Sequence, residues 1–416
     1  MNIPDLEALF GRATNCSRCA TVSVRPSHID GGSLLVRCGQ CGASEWVALP
    51  KPQKHIVYLD NGVLANMVAA QQRGLADNPF TRLASSLHGA VSEQAVAVCR
   101  SPIVRHEYEA RTEKGLQASR DIDFALGTVD LRYASEVQEA QLRRALAVYL
   151  VEGDVDVDVP VETEDAFRDE PHAWTAAMSF HLNWRSPREW VLDEEEVVST
   201  VHRGYVEVQT TYRREGLTVS EVERLEVEAY GLAIRESGRQ VLGRAAMGNP
   251  SEVALTASLG TAYSELIRLA RDRGYSVAGA IRVVDRFLGS GLVRRCPYAR
   301  LNARLLAHLM VGAGARSIRR GDRNDVEQIA AYAPYVDVLV ADRYAAHLAS
   351  AQVGNVSEIA QVAVMPSTHA GLEELIELVG SWREASQLTA LARRVSDLEN
   401  ARMTELARIV QARGLD

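Results

Sequence analysis

The sequence lacks the features that mark membrane proteins and secreted proteins. No apolar run approaches the roughly 18 residues that a helix needs to cross a bilayer. The first residues, MNIPDLEALFGRAT, contain neither a basic stretch nor an apolar core of the kind found in secretory signals. Six cysteines in 416 residues do not make a disulfide framework. These absences predict a protein of the reducing cytoplasm with no membrane segment.

The chain also lacks an excess of basic residues. It has 46 Lys and Arg against 54 Asp and Glu, which gives a net charge of −8. This balance argues against a protein coated in nucleic acid, although it is compatible with a local basic groove. A hydrophobic content of 47% and a charged content of 24% are typical of a globular protein. Because 416 residues exceed one ordinary core, we expect two to three domains.

Four of the six cysteines form two C-x-x-C pairs near the N-terminus. They are Cys16, Cys19, Cys38 and Cys41. Four thiolates at this spacing are typical of a structural tetrahedral Zn²⁺ site, and Gly31-Gly32 between the pairs offers a hairpin turn. We therefore predict a β zinc ribbon, a module that binds nucleic acid or protein partners or only stabilises a hairpin. The alternative is a pair of redox dithiols, but the surrounding βαβ pattern of a thioredoxin-like motif is missing.

Acidic residues follow apolar segments that have the character of buried parallel strands. HIVYL, residues 55–59, leads directly into Asp60 and Asn61, and the apolar run around residues 338–341 leads into Asp342. In α/β sheets, ligands gather at the carboxyl ends of the strands. We therefore expect these residues to lie where chemistry takes place.

Two further acids lie on predicted helices. Asp325 falls at the start of a helix rich in small apolar residues. Glu107 follows an apolar strand at 95–99 and a Ser101-Pro102 pair, which is a favourable helix start. Taken alone, Glu107 fits a solvated helix residue, and Asp325 fits a cap at the start of its helix. Asp60, taken alone, could also serve only to cap the helix that follows it.

Together these segments resemble the PIN-domain nuclease family. In that family an apolar strand ends in Asp, a Ser/Thr-Pro helix carries Glu, an Asp opens a small-residue helix, and a further acid follows a later strand. The matching residues are Asp60 in YLDNGVL, Glu107 in SPIVRHE, Asp325 in NDVEQIAAYA and Asp342 in VDVLVADR. Asp337, just before the last strand, is an additional acid that we assign to the site in a supporting role. The resemblance covers residues 54–109 and 300–350, about a quarter of the chain.

The resemblance implies a small parallel sheet flanked by helices and a metal-dependent nuclease site. The four matching acids would bind Mg²⁺ or Mn²⁺, a metal-activated water would attack the phosphodiester, and Asn61 would orient a ligand or the phosphate. RNA is favoured over single-stranded DNA as the substrate. The physical case is independent, because clustered carboxylates repel unless cations share them, and hard divalent ions prefer oxygen ligands.

Two features depart from the family pattern. Val340 and Ala341 stand near the fourth acid, where a hydroxyl is often found. More than two hundred residues separate Glu107 from Asp325. The second departure predicts a large insertion within the nuclease domain.

The remaining chain is predicted to be mostly helical. We expect a zinc ribbon at 1–50, the two halves of the PIN-like domain at 51–110 and 300–365, a helical insertion at 111–299, and C-terminal helices at 366–416 that break near Gly380. The insertion and the C-terminal helices could clamp substrate, gate the site, or form an interface with a second copy or a protein partner.

Arginines near the third acid have two possible roles. They could bind phosphate oxygens through their forked donors, or they could simply face solvent, as charged runs usually do. These residues are Arg294, Arg295, Arg300, Arg304, Arg316, Arg319, Arg320 and Arg323.

Two other functional classes stay open. One is a non-catalytic scaffold, in which the zinc ribbon recognises nucleic acid or protein and the acids are relics. The other is a phosphatase of the haloacid-dehalogenase type, which also begins with a strand that ends in Asp. That class expects a second Asp two residues after Asp60, where Gly62 stands.

Overall fold

Two separate β-sheets organise the chain in this computed structural model. The structure describes residues 10, 14–30, 32–102, 122, 126–174, 188–246, 257–314 and 316–412. None of the helices in these ranges has the length and the apolar character required to cross a membrane.

The first sheet is antiparallel and contains the cysteine pairs. Its strands, in spatial order, are β1 (Thr14–Asn15), β2 (Val22–Asp30), β3 (Ser33–Cys38) and β4 (Ser44–Ala48). Gly32 lies in the β2–β3 hairpin with φ +92, a left-handed conformation that costs glycine little because it has no Cβ. The predicted hairpin between the two cysteine pairs is confirmed.

The second sheet is parallel throughout. Its strands are β5 (His55–Leu59), β6 (Val96–Arg100), β7 (Gly127–Asp130), β8 (Val338–Ala341) and β9 (Ala363–Pro366). They lie in the spatial order β7-β6-β5-β8-β9, so that successive strands run first to one side of β5 and then to the other. The strand order reverses between β5 and β8, which creates a crevice at the carboxyl ends of these two strands.

The helices connect these strands and form the remaining layers. They are α1 (Asn61–Gln72), α2 (Pro79–Ser92), α3 (Ala134–Glu152), α4 (Thr163–Ala166), α5 (Arg188–Arg214), α6 (Val219–Ala246), α7 (Ala257–Asp272), α8 (Val277–Phe287), α9 (Gly291–Arg295), α10 (Pro297–Val311), α11 (Asp322–Tyr332), α12 (Arg343–Ala349), α13 (Ser357–Ala360), α14 (His369–Ala385) and α15 (Thr389–Ala412). A short 3₁₀ turn at Ala333–Tyr335 links α11 to β8. The α/β class predicted from the sequence, with a parallel sheet flanked by helices, is confirmed.

Helices cover both faces of the parallel sheet. On one face, α3, α10 and α11 pack against the side of β5 that carries Ile56 and Tyr58. On the other face, α1, α2 and α14 pack against Val57 and Leu59. Because side chains alternate along a strand, β5 is buried on both sides, and each large apolar side chain contributes roughly 1.5–3 kcal/mol.

Two boundaries differ from the expectation. Strand β7 lies within residues 111–299, which we predicted to be a helical insertion, yet it pairs with β6 and belongs to the parallel sheet. The break predicted near Gly380 is wrong, since α14 continues to Ala385 and the next helix starts at Thr389. A single glycine in a helix costs only about 1 kcal/mol relative to alanine, which the burial of Leu375 and Val379 on α14 outweighs.

The helical layer is built from α3 and α6–α9. Its core includes Tyr263 and Phe287, both fully buried. Gly238 on α6 permits the close packing of α7, because a Cβ at this position would lie 2.1 Å from Cγ of Tyr263. Any larger residue at 238 would therefore separate the two helices.

The C-terminal helix α15 packs on the antiparallel sheet and not on the parallel one. Leu391 and Val395 are buried against Leu34 and Val36 of β3. The backbone N–H of Ile29 also donates to Oε1 of Glu399 at 3.0 Å. Helix α15 therefore covers one face of the antiparallel sheet.

A buried carboxylate joins the last two helices to the parallel sheet. Glu93, at the end of α2, accepts hydrogen bonds from Arg383 of α14 at 2.8 and 2.9 Å. It also accepts bonds from Arg393 of α15 at 2.9 and 2.6 Å. The hydrogen bonds from Arg383 lower the pKa of Glu93, and Arg393 adds to the effect. One side chain thus connects three helices.

We expect Glu93→Gln to lower the free energy of unfolding by about 1.5–3 kcal/mol at pH 7, because it removes the charge from these hydrogen bonds. The folded pKa is below the unfolded value of about 4.3, so the stabilisation is present above that pH and is lost as the pH falls through the folded pKa. Denaturant unfolding at pH 7 and pH 4 measures the difference. Glu377→Gln, at an exposed position of α14, should change stability by less than about 0.5 kcal/mol at both pH values. An equal effect of the two substitutions would contradict the assignment.

Candidate metal centre and acidic strand edge

The four N-terminal cysteines converge on one point. Their Sγ atoms all lie within 4.8 Å of one another, and the Cys16–Cys41 and Cys19–Cys38 pairs are each separated by 3.7 Å. Four sulfurs around a tetrahedral metal at about 2.3 Å would lie roughly 3.8 Å apart. The cysteine group is therefore close enough to hold a metal ion.

The hydroxyl groups of Ser23 in β2 and of Thr21, just before β2, support the thiolate forms of Cys38 and Cys19. Oγ of Ser23 lies 2.8 Å from Sγ of Cys38, and Oγ1 of Thr21 lies 2.9 Å from Sγ of Cys19. The hydrogen bond from Ser23, together with a backbone N–H of Cys41, lowers the pKa of Cys38 to about 5. A thiolate is the form that ligates metals, so these contacts favour binding.

Two of the predicted acids lie side by side at the carboxyl edge of the parallel sheet. Leu59 of β5 pairs with Val340 of β8, and the N–H of Asp60 donates to the carbonyl of Val340 at 2.9 Å. Adjacent strands are about 4.8 Å apart, so Asp60 and Asp342 both emerge at the crevice where the strand order reverses.

The carboxylates of Asp60 and Asp342 differ in whether they cap the helix that follows. Asp342 is the N-cap of α12, and its Oδ1 accepts from the N–H of Ala345 at 2.7 Å. Asp60 occupies the corresponding position before α1, yet its side chain makes no capping hydrogen bond. The interpretation that Asp60 serves only as a helix cap is therefore wrong, whereas capping does account for one oxygen of Asp342.

Helix α11 carries the third acid on the same side of the sheet. Tyr58 of β5 donates from its hydroxyl to Oε1 of Gln328, and its ring stacks on Tyr332 at 5.4 Å. Asp60 is two residues beyond Tyr58, so strand alternation directs it to the same face. Asp325 is three residues before Gln328, about one turn nearer the start of the helix. The Tyr58–Gln328 hydrogen bond therefore fixes α11 against the face of β5 that carries Tyr58.

An arginine lies next to this edge. The guanidinium of Arg316 makes a two-pronged ion pair with buried Asp322, at 2.8 and 2.6 Å, and lies 4.0 Å from the ring centre of Tyr344. The hydrogen bonds that Arg316 donates to Asp322 raise the pKa of Arg316, and the charge of Asp342 contributes in the same direction. Arg316 is therefore held as a fixed positive charge beside Asp342.

Three predicted site residues remain: Asn61, Glu107 and Asp337. Asn61 is the first residue of α1, next to Asp60. Glu107 lies outside the described residues. Asp337 is at the other edge of the sheet, where its Oδ2 accepts from the N–H of Ile56 at 2.6 Å. The supporting role expected for Asp337 is therefore corrected. Strand β8 separates Asp337 from Asp342, and the carboxylate of Asp337 accepts a backbone hydrogen bond near the start of β5.

Within the described ranges, the cysteine quartet is the only group of three or more potential ligands close enough to share a metal. Asp60, Asp342 and Asp325 therefore do not form such a group, although Asp60 and Asp342 follow neighbouring strands. Sequence reasoning missed Tyr58, Gln328 and Tyr344, because no spacing rule connects a strand tyrosine to a helix glutamine 270 positions away.

Most of the arginines that could bind phosphate are in ion pairs instead. Arg295 and Arg300 pair with Asp156 and Asp158, which belong to an acidic segment at residues 152–170, and Arg304 pairs with Glu223 at 3.2 Å. The acidic partners from that stretch are more than 80% exposed, so these pairs contribute little to stability.

Comparison with known proteins identifies no relative, since no protein-family model, no curated protein and no solved structure matches this chain. Function is therefore argued from the residues of the chain itself.

We expect the purified protein to carry one metal ion per chain at the cysteine site, and Cys38→Ser to abolish it. Losing one of four thiolates removes both a ligand and its charge, and the hairpin that the metal holds should become sensitive to protease. Elemental analysis and limited proteolysis measure both effects. Ser17→Ala, between Cys16 and Cys19 of the other cysteine pair, is the control and should retain the metal. Full metal content in Cys38→Ser would contradict this site.

Proposed function

We propose that the protein is a metal-dependent nuclease that hydrolyses phosphodiester bonds, with RNA favoured over single-stranded DNA. The observation that carries the proposal is that Asp60 and Asp342 follow the paired strands β5 and β8 at one crevice of the parallel sheet, while Asp325 lies in the first turn of helix α11, which packs on the Tyr58 face of that sheet. This crevice lies where the strand order reverses, the position at which α/β sheets bind their ligands. The resemblance to PIN-domain nucleases supports the same three residues and adds Glu107 from the sequence.

The donor set fits a hard divalent cation. Every candidate ligand offers carboxylate oxygens, the donors that Mg²⁺ and Mn²⁺ prefer. A bound ion would supply an activated water and neutralise charge on the phosphate. The residues of the chain hold the ligand oxygens in place. Asp60 follows a buried strand directly. The capping hydrogen bond of Asp342 fixes its carboxylate and leaves its second oxygen for the cation.

Positive charge beside the acids suits an anionic substrate. Arg316 is held in place by Asp322 and Tyr344, so its guanidinium does not have to be ordered when substrate binds. It lies close enough to Asp342 for the two charges to interact. Arg316 is therefore a positioning residue in this proposal, and Asn61 orients either a ligand or the phosphate.

We assign the metal of the cysteine quartet as structural Zn²⁺. Four thiolates in a tetrahedral arrangement suit zinc and leave no open position for a substrate. The antiparallel sheet is accordingly a zinc ribbon in this proposal. It stabilises the N-terminal module and takes no part in the cleavage.

The proposal is tested by Asp60→Asn in a cleavage assay with Mn²⁺ and labelled single-stranded RNA. Replacing a direct metal ligand should cost more than the 10–100-fold typical of residues that only orient ligands, so we expect at least about 100-fold slower cleavage. Asp337→Asn is the matched control, because it makes the same change at the opposite edge of the sheet. It should retain activity.

Thermal unfolding of both variants shows whether they remain folded. Unchanged cleavage by Asp60→Asn, or an equal loss in Asp337→Asn, would refute the nuclease assignment. No cleavage by the unaltered protein on RNA or single-stranded DNA, with Mn²⁺ binding also absent, would favour the scaffold in which the ribbon alone recognises a partner.

A further inference from the structure

The outward face of the antiparallel sheet carries two arginines and an aromatic platform. Strand register places Arg25 opposite Arg37, and His28 and Trp46 on either side of Leu35. Residues directly opposite one another on neighbouring strands share a face. These five residues therefore lie together, on the side opposite to the one that α15 covers. We call this surface the ribbon face.

The burial pattern agrees with this division of the sheet. Ile29, Leu34 and Val36 alternate with the ribbon-face residues and are buried under α15. Trp46, in contrast, is 49% exposed, and both arginines are exposed. An indole half open to solvent on an edge strand presents a large apolar area to solvent.

The two arginines create an unfavourable contact that an anion would relieve. Like charges directly opposite on adjacent strands repel, because their Cβ atoms are only about 5 Å apart. Neither Arg25 nor Arg37 forms an ion pair with any residue in the described part of the chain. The acid on this face is Asp30, at the far end of the β2–β3 hairpin. The pair is therefore suited to a phosphate oxygen between the two guanidinium groups.

The aromatic residue lies at the next step along the same face. Trp46 and Leu35 are two residues along their strands from Ser44 and Arg37, a separation of about 7 Å. The ring of His28 packs edge-on against the indole, with centroids 5.3 Å apart and an angle of 87°. This contact limits the rotation of Trp46 and leaves a preformed surface on which a base can stack.

The geometry points to the ribbon face as a docking site for single-stranded nucleic acid, with phosphate bound at Arg25 and Arg37 and an unstacked base on Trp46. A duplex keeps its bases stacked inside, so it cannot use the indole in this way. The inference rests on the proposed function for its substrate class. It adds a binding surface that is separate from the acidic edge, since the ribbon joins the opposite end of β5 through residues 49–54.

The test measures binding and not cleavage. The full-length, zinc-loaded protein carrying Asp60→Asn is titrated into fluorescein-labelled single-stranded RNA, single-stranded DNA and duplex RNA, without added divalent cation, and anisotropy gives the Kd. Trp46→Ala should weaken single-strand binding roughly 5- to 100-fold and leave the weaker duplex binding unchanged. Trp46→Phe, which keeps an aromatic face, should restore most of the affinity.

The arginines are tested through salt dependence. The double variant Arg25→Gln/Arg37→Gln should lower the slope of log Kd against log salt by about 0.7, the value for one phosphate contact on a single strand. Arg271→Gln/Arg273→Gln removes the same charge from an exposed site on the helical layer and should leave the slope unchanged.

Several outcomes would overturn the inference. They are an unchanged Kd in Trp46→Ala, equal losses in the two double variants, or equal binding of duplex and single strand. Zinc content and thermal midpoint confirm that each variant is folded. Because binding is scored without catalysis, an inactive enzyme that still binds through Trp46 would refute the nuclease proposal and leave the docking site intact.

Discussion

The pairing of β5 with β8 is the contact on which the proposed chemistry depends. These strands are about 280 residues apart in the sequence, yet Val57, Tyr58 and Leu59 align with Val338, Leu339 and Val340. Both strands are buried on both faces, so their backbone groups have no access to water and must satisfy one another. A shift of register would expose apolar side chains and separate Asp60 from the end of β8 at the same time.

The same pairing explains why the crevice can be both rigid and charged. A carboxylate at a strand end has its backbone held by the sheet, so bringing like charges together does not cost the ordering of a loop. Tyr58 and Gln328 extend this restraint to α11, and the ion pair between Arg316 and Asp322 lies near Asp342. The site thus rests on regular elements, with its polar groups at their ends.

The C-terminal helices connect the two sheets. Helix α14 completes one face of the parallel sheet, while α15 covers the buried face of the antiparallel sheet. Glu93 holds both helices through two arginines, so the antiparallel sheet is tied to the parallel sheet. The outward ribbon face therefore keeps one orientation relative to the acidic crevice. A strand of nucleic acid bound to it would be presented at a fixed distance from the acids.

The charge distribution also distinguishes the ribbon face from the rest of the molecule. The chain as a whole carries −8, and most arginines near the helical layer are neutralised by acidic partners. Arg25 and Arg37 lie apart from those pairs and face each other. Local positive charge on an otherwise acidic protein would confine an anionic ligand to one surface, because the rest of the molecule repels it.

The sequence by itself determined the local features. The spacing of Cys16, Cys19, Cys38 and Cys41 predicted the convergence of four thiols, since a short hairpin leaves few other arrangements. The run HIVYL predicted a buried strand that delivers Asp60, because apolar continuity and a following acid are properties of neighbouring residues. Tertiary structure alone decided the rest. Asp337 and Asp342 flank the same four-residue strand, but strand direction sends them to opposite edges of the sheet. Only the order β7-β6-β5-β8-β9 places Asp342 beside Asp60, because pairing between distant segments depends on how all the helices pack.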